Sequence, residues 1–562
     1  LAQEAAYESI LPRKRKELHR KVAGSIEKVF GERLHEFYGM LAYHYSRAEN
    51  LDKAEEYLIR AGEESLSSSA SNEALHYYRE ALDLYVKKYG DAADPEKVAM
   101  LDKNIALALF NRGQYVEAVE YFDRALNYYW GKLSKHAIST IFEFSSAFLH
   151  LIISLYLPSL RFKRMPTERD IEIIDLFKKK CKALGIIDPK RFFVESLHVC
   201  KEVINYDLTK FKLGMEIFVG ASSLFSTPGI SFRLSRKLLD FAKERVNKDD
   251  ARIFIMYELC DTFHNYLEGN WEAIKNYDED LVDKNLSIGE VYDATQHLYW
   301  HGLSNIYQGA LDIAALMVTK LNDIIEVYEN DFSLLLKYEL NANLLIECRK
   351  FPRALMEVEN TIDFAQKAGL TLFLFDLYSF KARINVLMGD MELTEKCLQQ
   401  ANEARLQVHA IPLMLSTFHV CQFHYFLKRL EESITISSKS ESSQYRKKAI
   451  KSCKMLLKVS KKAAQHRTET YKLVGVYYWL INEPENAVKW WHKAIEEGER
   501  LGARLELSRT YFEVGKRLLE PENKCKRLNG IEAEEYLEKA RVLFVEMDLQ
   551  WDLDELSRVA RG

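Results

Sequence analysis

The stretch FNRGQYVEAVEYFDRAL, from Phe110 to Leu126, sets one glycine inside strongly helical residues and places alanines at 118 and 125. Its pattern recurs. Around it stand Ile105, Ala106, Leu109, Gly113, Tyr115, Ala118, Phe122, Ala125 and Leu126. Farther on come Tyr471, Val474, Gly475, Tyr478, Ala487, Trp491, Ala494 and Ile495, and near the start Tyr38, Leu41, Ala42, Tyr45, Leu51, Ala54, Leu58 and Ala61. Small side chains at 106 and 118 let two antiparallel helices approach to about 8–10 Å, with Ile105, Leu109 and Phe122 filling the space beside them. Ala125 leaves room for the next unit. Gly113 marks the turn, where a positive φ costs glycine little. A chain built this way is constrained to stacked helical hairpins.

Composition agrees with that constraint. In 562 residues there are 23 glycines and 10 prolines against 48% hydrophobic residues, which favours long helices joined by short connections. A net charge of −4 makes no general case for nucleic-acid binding. The cysteines at 181, 200, 260, 348, 397, 421, 453 and 525 are scattered, with no CxxC pair, and read as reduced thiols of a cytoplasmic protein. No signal peptide precedes them. The opening LAQEAAYESILPRKRKELHRKV lacks an initiator Met and reads as a segment of a longer polypeptide. The run ISTIFEFSSAFLHLIISLYL (138–157) has the length of a membrane span, but Glu143, His150 and several serines interrupt it, so a helix buried among helices is expected, with no membrane span.

These spacings resemble the tetratricopeptide repeat, a helical hairpin of about 34 residues. Weaker copies are YLEGNWEAI (266–274), YQGALDIAA (307–315), INVLMGDMELTEKCLQQA (384–401, after Ala382) and the glycine-free ECRKFPRALMEVENT (347–361). The last copy is split, with Tyr511 and Gly515 before an insertion and Ala533, Leu537 and Ala540 after it. Ala54 and Ala74 stand only 20 positions apart, so a helix near SLSSSASNEAL is missing or shared. The expected fold is all-α, with tetratricopeptide-like antiparallel hairpins stacked in a right-handed solenoid. Residues 1–34 are expected to form a basic helical junction and 35–130 the N-terminal repeats. Divergent helical pairs over 131–250 and central repeats over 251–432 follow; SITISSKSESSQ (433–444) reads as a flexible Ser-rich loop before C-terminal repeats over 445–562.

EAAYESILPRKRKELHRKVAGSIE, followed by LAYHYSRAENLDKAEEYLIRAGEES, resembles the junction after the ATPase module of multidomain STAND/AAA-type signalling ATPases. Some of these are fused to class III adenylate/guanylate cyclase domains and others to protein kinases. The closing AEEYLEKARVLFVEMDLQWDLDEL fits the same order. The resemblance implies a regulatory module of a nucleotide-dependent signalling protein, foremost a class III cyclase with a STAND ATPase. An ATPase-fused serine/threonine kinase, a transcriptional regulator and a stand-alone scaffold are the alternatives. It implies ATP and Mg in upstream domains, which with the effector domains are expected intramolecular partners. No cofactor is expected in this segment, since it carries no GxxxxGK[ST] phosphate loop. Nor is a helix-turn-helix pattern visible, so DNA reading is not expected.

No catalytic or metal-ligating residue is expected. His297 and His301 in HLYWH share a helical face, but HExxH is not formed and no third ligand is near in sequence. A Cys–His nucleophile has no local signature. The contrary hypothesis, that the segment is itself an enzyme, would need turnover abolished by one point change. RKRKELHRK (13–21) reads as a solvated face with Leu18 and Val22 turned inward, as a phosphate or acidic-partner contact, or as a dock for the neighbouring ATPase. Trp491 falls on the large buried repeat position, and Trp490 is expected partly exposed. A protein or peptide partner is expected in the groove lined by first helices, against Lys103, Phe110 and Asn111 and against Lys472, Trp479 and Leu480.

Overall fold

The computed structural model describes residues 7–68, 70–131, 164–208, 210–274, 277–520 and 527–561, together with 146, 148–153 and 156. Most of the 138–157 run and Cys525 lie outside the described residues. The chain forms two compact units. One comprises Leu1–Thr140, Thr167–Leu184 and Tyr328–Asp331; the other comprises Ile141–Pro166, Gly185–Val327 and Phe332–Gly562. The fold is all-α, an array of antiparallel helical hairpins.

In the first unit, α1 (Pro12–Val29) packs on α2 (Tyr38–Arg47), and α2 on α3 (Leu51–Ser67). Helix α3 also packs along α4 (Ser71–Tyr89), so the 20-residue spacing reflects a shared helix. Gly62 allows this double role, because a Cβ there would stand 2.6 Å from the Tyr78 ring. Then α5 (Pro95–Asn111) pairs with α6 (Tyr115–Tyr129). Asp94 caps α5 through the Glu96 amide, with Pro95 in the first turn. Gly113 turns the hairpin at φ 76°. Ala106, Ala118, Phe122 and Ala125 are fully buried, as are Ala54 and, within a few percent, Ala42 and Ala61. Helix α1 departs from the expected orientation. His19, Ala23 and Ile26 face inward, while Leu18 and Val22 are exposed, because His19 reaches His44 at 2.8 Å and Tyr7 at 3.0 Å.

Helix α7 (Glu168–Ile187) leads into the second unit, where α8 (Pro189–Val203), α9 (Lys212–Gly220) and α10 (Phe232–Lys243) are divergent helical elements around Leu197, Phe218, Leu224 and Leu238. The following helices are α11 (Ala251–Glu268), α12 (Glu279–Ser287), α13 (Val291–Gln308), α14 (Leu311–Tyr328), α15 (Asp331–Glu347) and α16 (Phe351–Lys367). Next come α17 (Thr371–Met388), α18 (Met391–Arg405), α19 (Pro412–Thr435) and α20 (Lys439–Ser460). Last are α21 (Arg467–Leu480), α22 (Pro484–Leu501), α23 (Arg504–Leu519), α24 (Ala533–Glu546) and α25 (Gln550–Arg561). Left-handed glycines close α11, α13 and α17. In hairpins without a turn glycine, Arg349 and Asn482 take the positive φ instead.

Residues 433–444 are not a flexible excursion. Helix α19 continues to Thr435 and α20 begins at Lys439, with Ser437 at φ 56° making the turn. The serines satisfy local backbone and one another: Ser433 Oγ donates to Leu430 O and lies 3.0 Å from Ser442 Oγ. The insertion before α24 carries a two-stranded hairpin, Arg527–Leu528 with Ile531–Glu532, joined by Asn529-Gly530 at positive φ.

The α21–α22 seam shows the packing rule at its tightest. A Cβ at Gly475 would stand 2.3 Å from the fully buried Trp491 indole, whose Nε1 donates to Lys472 O at 3.2 Å. Ala487 and Ala494 flank Trp491 with no exposure. Gly24, by contrast, has open space at its Cβ position within α1. Gly475→Ala is therefore expected to destabilise by about 1–3 kcal/mol through overpacking, whereas Gly24→Ala gains roughly 0.5–1 kcal/mol of helix propensity. Urea denaturation monitored by circular dichroism checks both; the same sign for the two would contradict the seam.

Candidate functional site

The first unit holds a cleft of about 440 Å³ along α4. Asn72, Leu75, His76, Arg79, Glu80 and Asp83 line it, a helical face of i, i+3, i+4 and i+7 spacing. Arg112, which ends α5, contributes the opposing wall. Leu75 is a buried apolar floor. His76 Nε2 stands 3.6 Å from Glu80, and Arg79 pairs with Glu117 at 2.5 Å. Arg112 differs: its Nε is buried and no acceptor meets it among the described residues. Its position is fixed through the backbone. Arg112 O accepts from the Asp331 amide at 2.8 Å, Asn111 O accepts from Asn330 Nδ2 at 2.7 Å, and Gln114 Nε2 donates to Asp331 Oδ2 at 3.0 Å. Asn72 Nδ2 donates to Glu329 Oε2 at 2.7 Å at one end of the cleft. These bonds fix the turn that carries Arg112, and a carboxylate is the acceptor that fits a guanidinium fork.

The second unit treats its inner surface otherwise. Early helices meet late ones: the Ala464 amide donates to Leu267 O at 3.0 Å, Tyr266 OH donates to Gln465 Oε1 at 2.9 Å, and α13 packs on α23. Across this interior runs a chain of buried ions. Glu347 accepts from Arg383 Nη2 at 2.9 Å and Arg509 Nη1 at 2.5 Å. Arg383 Nη1 donates to both oxygens of Glu469, at 3.1 and 3.0 Å, and Arg509 grips Asp552 at 3.1 and 3.2 Å. His466 Nδ1 lies 3.4 Å from Glu469. Burial alone would raise the Glu347 carboxyl, but Arg383, Arg509 and Arg349 outweigh it and hold the group down at about 2. Nearby, Glu339 and Asp376 pair with no cation among the described residues and are pushed up by burial, with Tyr299 OH donating to Glu339 Oε1 at 2.7 Å.

The six residues expected to face a partner occupy other surroundings. Lys103 binds Glu172 at 2.6 Å, and Phe110 is buried against Tyr115 and Phe122. Asn111 engages Asn330 through its carbonyl. Lys472 pairs with Glu506, Trp479 Nε1 donates to Glu520 at 2.8 Å, and Leu480 packs against the core around Leu473 and Tyr477. None of the six lines the cleft, while Arg112, the neighbour of Asn111, does. Trp490 is half-buried against Tyr471.

His297 and His301 are both buried, with ring centroids 4.4 Å apart. Burial depresses both, His301 to about 4, which keeps them neutral. Tyr277 lies 6.3 Å from each ring, and among the described residues no group of three or more His, Cys, Asp or Glu is placed to hold a metal ion. No helix among the described residues is long and apolar enough to cross a membrane.

A tetratricopeptide-repeat family model matches residues 104–129, the hairpin of α5 and α6. No curated protein matches the chain. Among solved structures, a circular tandem repeat protein with novel repeat topology and enhanced subunit contact surfaces is similar at 12% identity, covering 98% of each chain, with a TM-score of 0.13. The α5–α6 hairpin is thus of tetratricopeptide type, within an all-α helical repeat array.

Removing one partner of the interior ion chain leaves the others buried and uncompensated, so Arg383→Met is expected to destabilise by about 3–5 kcal/mol. Glu347 also sets an acid dependence. Its folded value lies below its ordinary 4.5, so its contribution is complete above pH 4.5 and is lost as pH falls through about 2. That contribution is about 3 kcal/mol for a shift of this size. Glu347→Gln should flatten the stability profile over this window in denaturant titrations, and an unchanged slope would contradict the assignment.

Proposed function

We propose that the chain is a protein-binding, regulatory module of a larger nucleotide-dependent signalling protein, and that its partner is a peptide bearing a carboxylate. The observation that carries the proposal is the Arg112 guanidinium: it lines a cleft, and its buried Nε has no acceptor among the described residues. Leaving such a donor unmade is costly, and an incoming carboxylate removes the cost while gaining a charge-assisted bond. The cleft face runs from Asn72 to Asp83, about 16 Å of helix, enough for a few residues of extended chain. Support for an interaction role comes from the tetratricopeptide-type hairpin that supplies one wall.

For the parent protein, the resemblance of residues 1–34 and the following helices to STAND ATPases favours a class III nucleotide cyclase with ATP and Mg bound upstream. A partner that prefers one arrangement of array and ATPase would shift their equilibrium by its differential affinity. A kinase or a transcriptional regulator shares this logic, and a scaffold would bind without it.

Arrayed peptides scored by fluorescence anisotropy test the binding. Acidic or free-carboxylate peptides are expected to bind, with Arg112→Ala weakening them about tenfold to a hundredfold. Lys87→Ala, on α4 but off the cleft wall, should leave them unchanged. Equal affinity for amidated, uncharged analogues, or indifference to Arg112→Ala, would overturn the proposal. In the full-length protein a bound peptide should alter ATP turnover; binding without that change would favour the scaffold.

A further inference from the structure

Helix α20 is the second member of its hairpin and packs on α19 and α21 through Ala449, Ser452, Cys453, Leu456 and Val459. Its opposite face carries Lys447, Lys451, Lys454 and Lys458, continued by Lys461 at the C-cap, all exposed. The spacing is i, i+4, i+7, i+11 and i+14, one straight stripe about 21 Å long. No ion pair or hydrogen bond joins any of the five to a carboxylate among the described residues. Elsewhere on the helix, Arg446 stands 3.9 Å from Glu483, and Lys448 leans over Tyr445 and Phe426. Glu441 in the first turn is the one acidic residue of α20. Met455 flanks the stripe at 45% exposure, and Ile434 and Ile436 project at the turn before the helix at 43% and 67%.

We infer that this face of α20 is a peripheral docking surface for an anionic lipid bilayer. Like charges about 5–6 Å apart along a helix repel one another, and the stripe does not stabilise the fold. Its arrangement suits an extended negative surface. The stripe is all lysine, a point charge that pairs with headgroups without the planar fork of arginine. It contains no aromatic side chain on which a base could stack, which places nucleic acid second. Met455 beside it is an apolar group of the kind that enters the headgroup boundary while lysines hold the surface. Basic clusters of this size on an amphipathic helix are bound by anionic lipid at about 1 kcal/mol per charge. The surface is independent of the Arg112 cleft.

Co-sedimentation of the chain with sucrose-loaded vesicles tests the inference. Binding is expected to phosphatidylcholine vesicles containing phosphatidylserine, not to pure phosphatidylcholine, and to weaken in high salt. The combined variant Lys451→Gln/Lys454→Gln/Lys458→Gln/Lys461→Gln should lower partitioning on the order of a hundredfold or more. Lys14→Gln/Lys21→Gln, which removes charge from α1, should not. Circular dichroism confirms that each variant is folded, since every substituted side chain is exposed. Three results would overturn the inference: equal binding to neutral vesicles, retention by the quadruple variant, or no vesicle binding alongside lysine-dependent binding of a DNA duplex or an acidic peptide.

Discussion

A helical hairpin cannot bury its own seam and its own faces at once, so each pair in this chain depends on close approach at small residues. Where Gly475 meets Trp491 there is no room even for a methyl group. Where α3 serves two neighbours, Gly62 stands under the Tyr78 ring. These contacts determine which faces remain for polar groups, and those faces determine what the chain can do. Packing near the density of a crystal leaves little tolerance at such points.

The second unit shows the consequence. Its first helices turn polar faces toward one another, and water is replaced there by Glu347, Arg383, Glu469, Arg509 and Asp552. Arg349 lies close by, with its Nε and Nη1 buried and unbonded among the described residues. Such an arrangement offers little net stability over a well-packed apolar core, because desolvation offsets attraction. It does penalise every register in which one partner is missing. Glu347, Arg383, Glu469, Arg509 and Asp552 are therefore matched to one another.

Hairpin positions were legible because alanine, glycine and large apolar residues recur at helical spacing, and burial of Ala106, Ala118, Ala125, Ala487 and Ala494 follows from that spacing. The turn at Arg349 was less so, since a positive φ without glycine leaves no residue signature. The serines of 433–444 suggested a loop because serine favours turns, yet Ser433 and Thr435 bond back within their helix and the turn itself is short. Asn529-Gly530 did carry a hairpin signal inside an insertion that otherwise reads as irregular. Helix α1 turned by a position because one histidine contact outweighed Leu18 and Val22. The charged sites were hardest to read. Arg112 is one arginine among many until Asn330 and Asp331, more than two hundred positions later, fix the turn beside it.

The lysines of α20 could be counted in the sequence, but only packing separates those on the buried flank from those on the open one. Lys462 illustrates the distinction: one position beyond Lys461, it donates to Pro228 O at 3.1 Å and drops out of the stripe. The chain as a whole is slightly acidic, with a net charge of −4, so concentration of unpaired cations on one helix is not a by-product of general basicity. Like charges at i,i+4 destabilise a helix by a few tenths of a kcal/mol per pair, a small but repeated cost along α20. Set beside the interior, where Arg383 and Arg509 find their carboxylates, the exposed charge along α20 stands apart. The two contact surfaces proposed for this chain, the Arg112 cleft and the α20 stripe, both present charge of this kind.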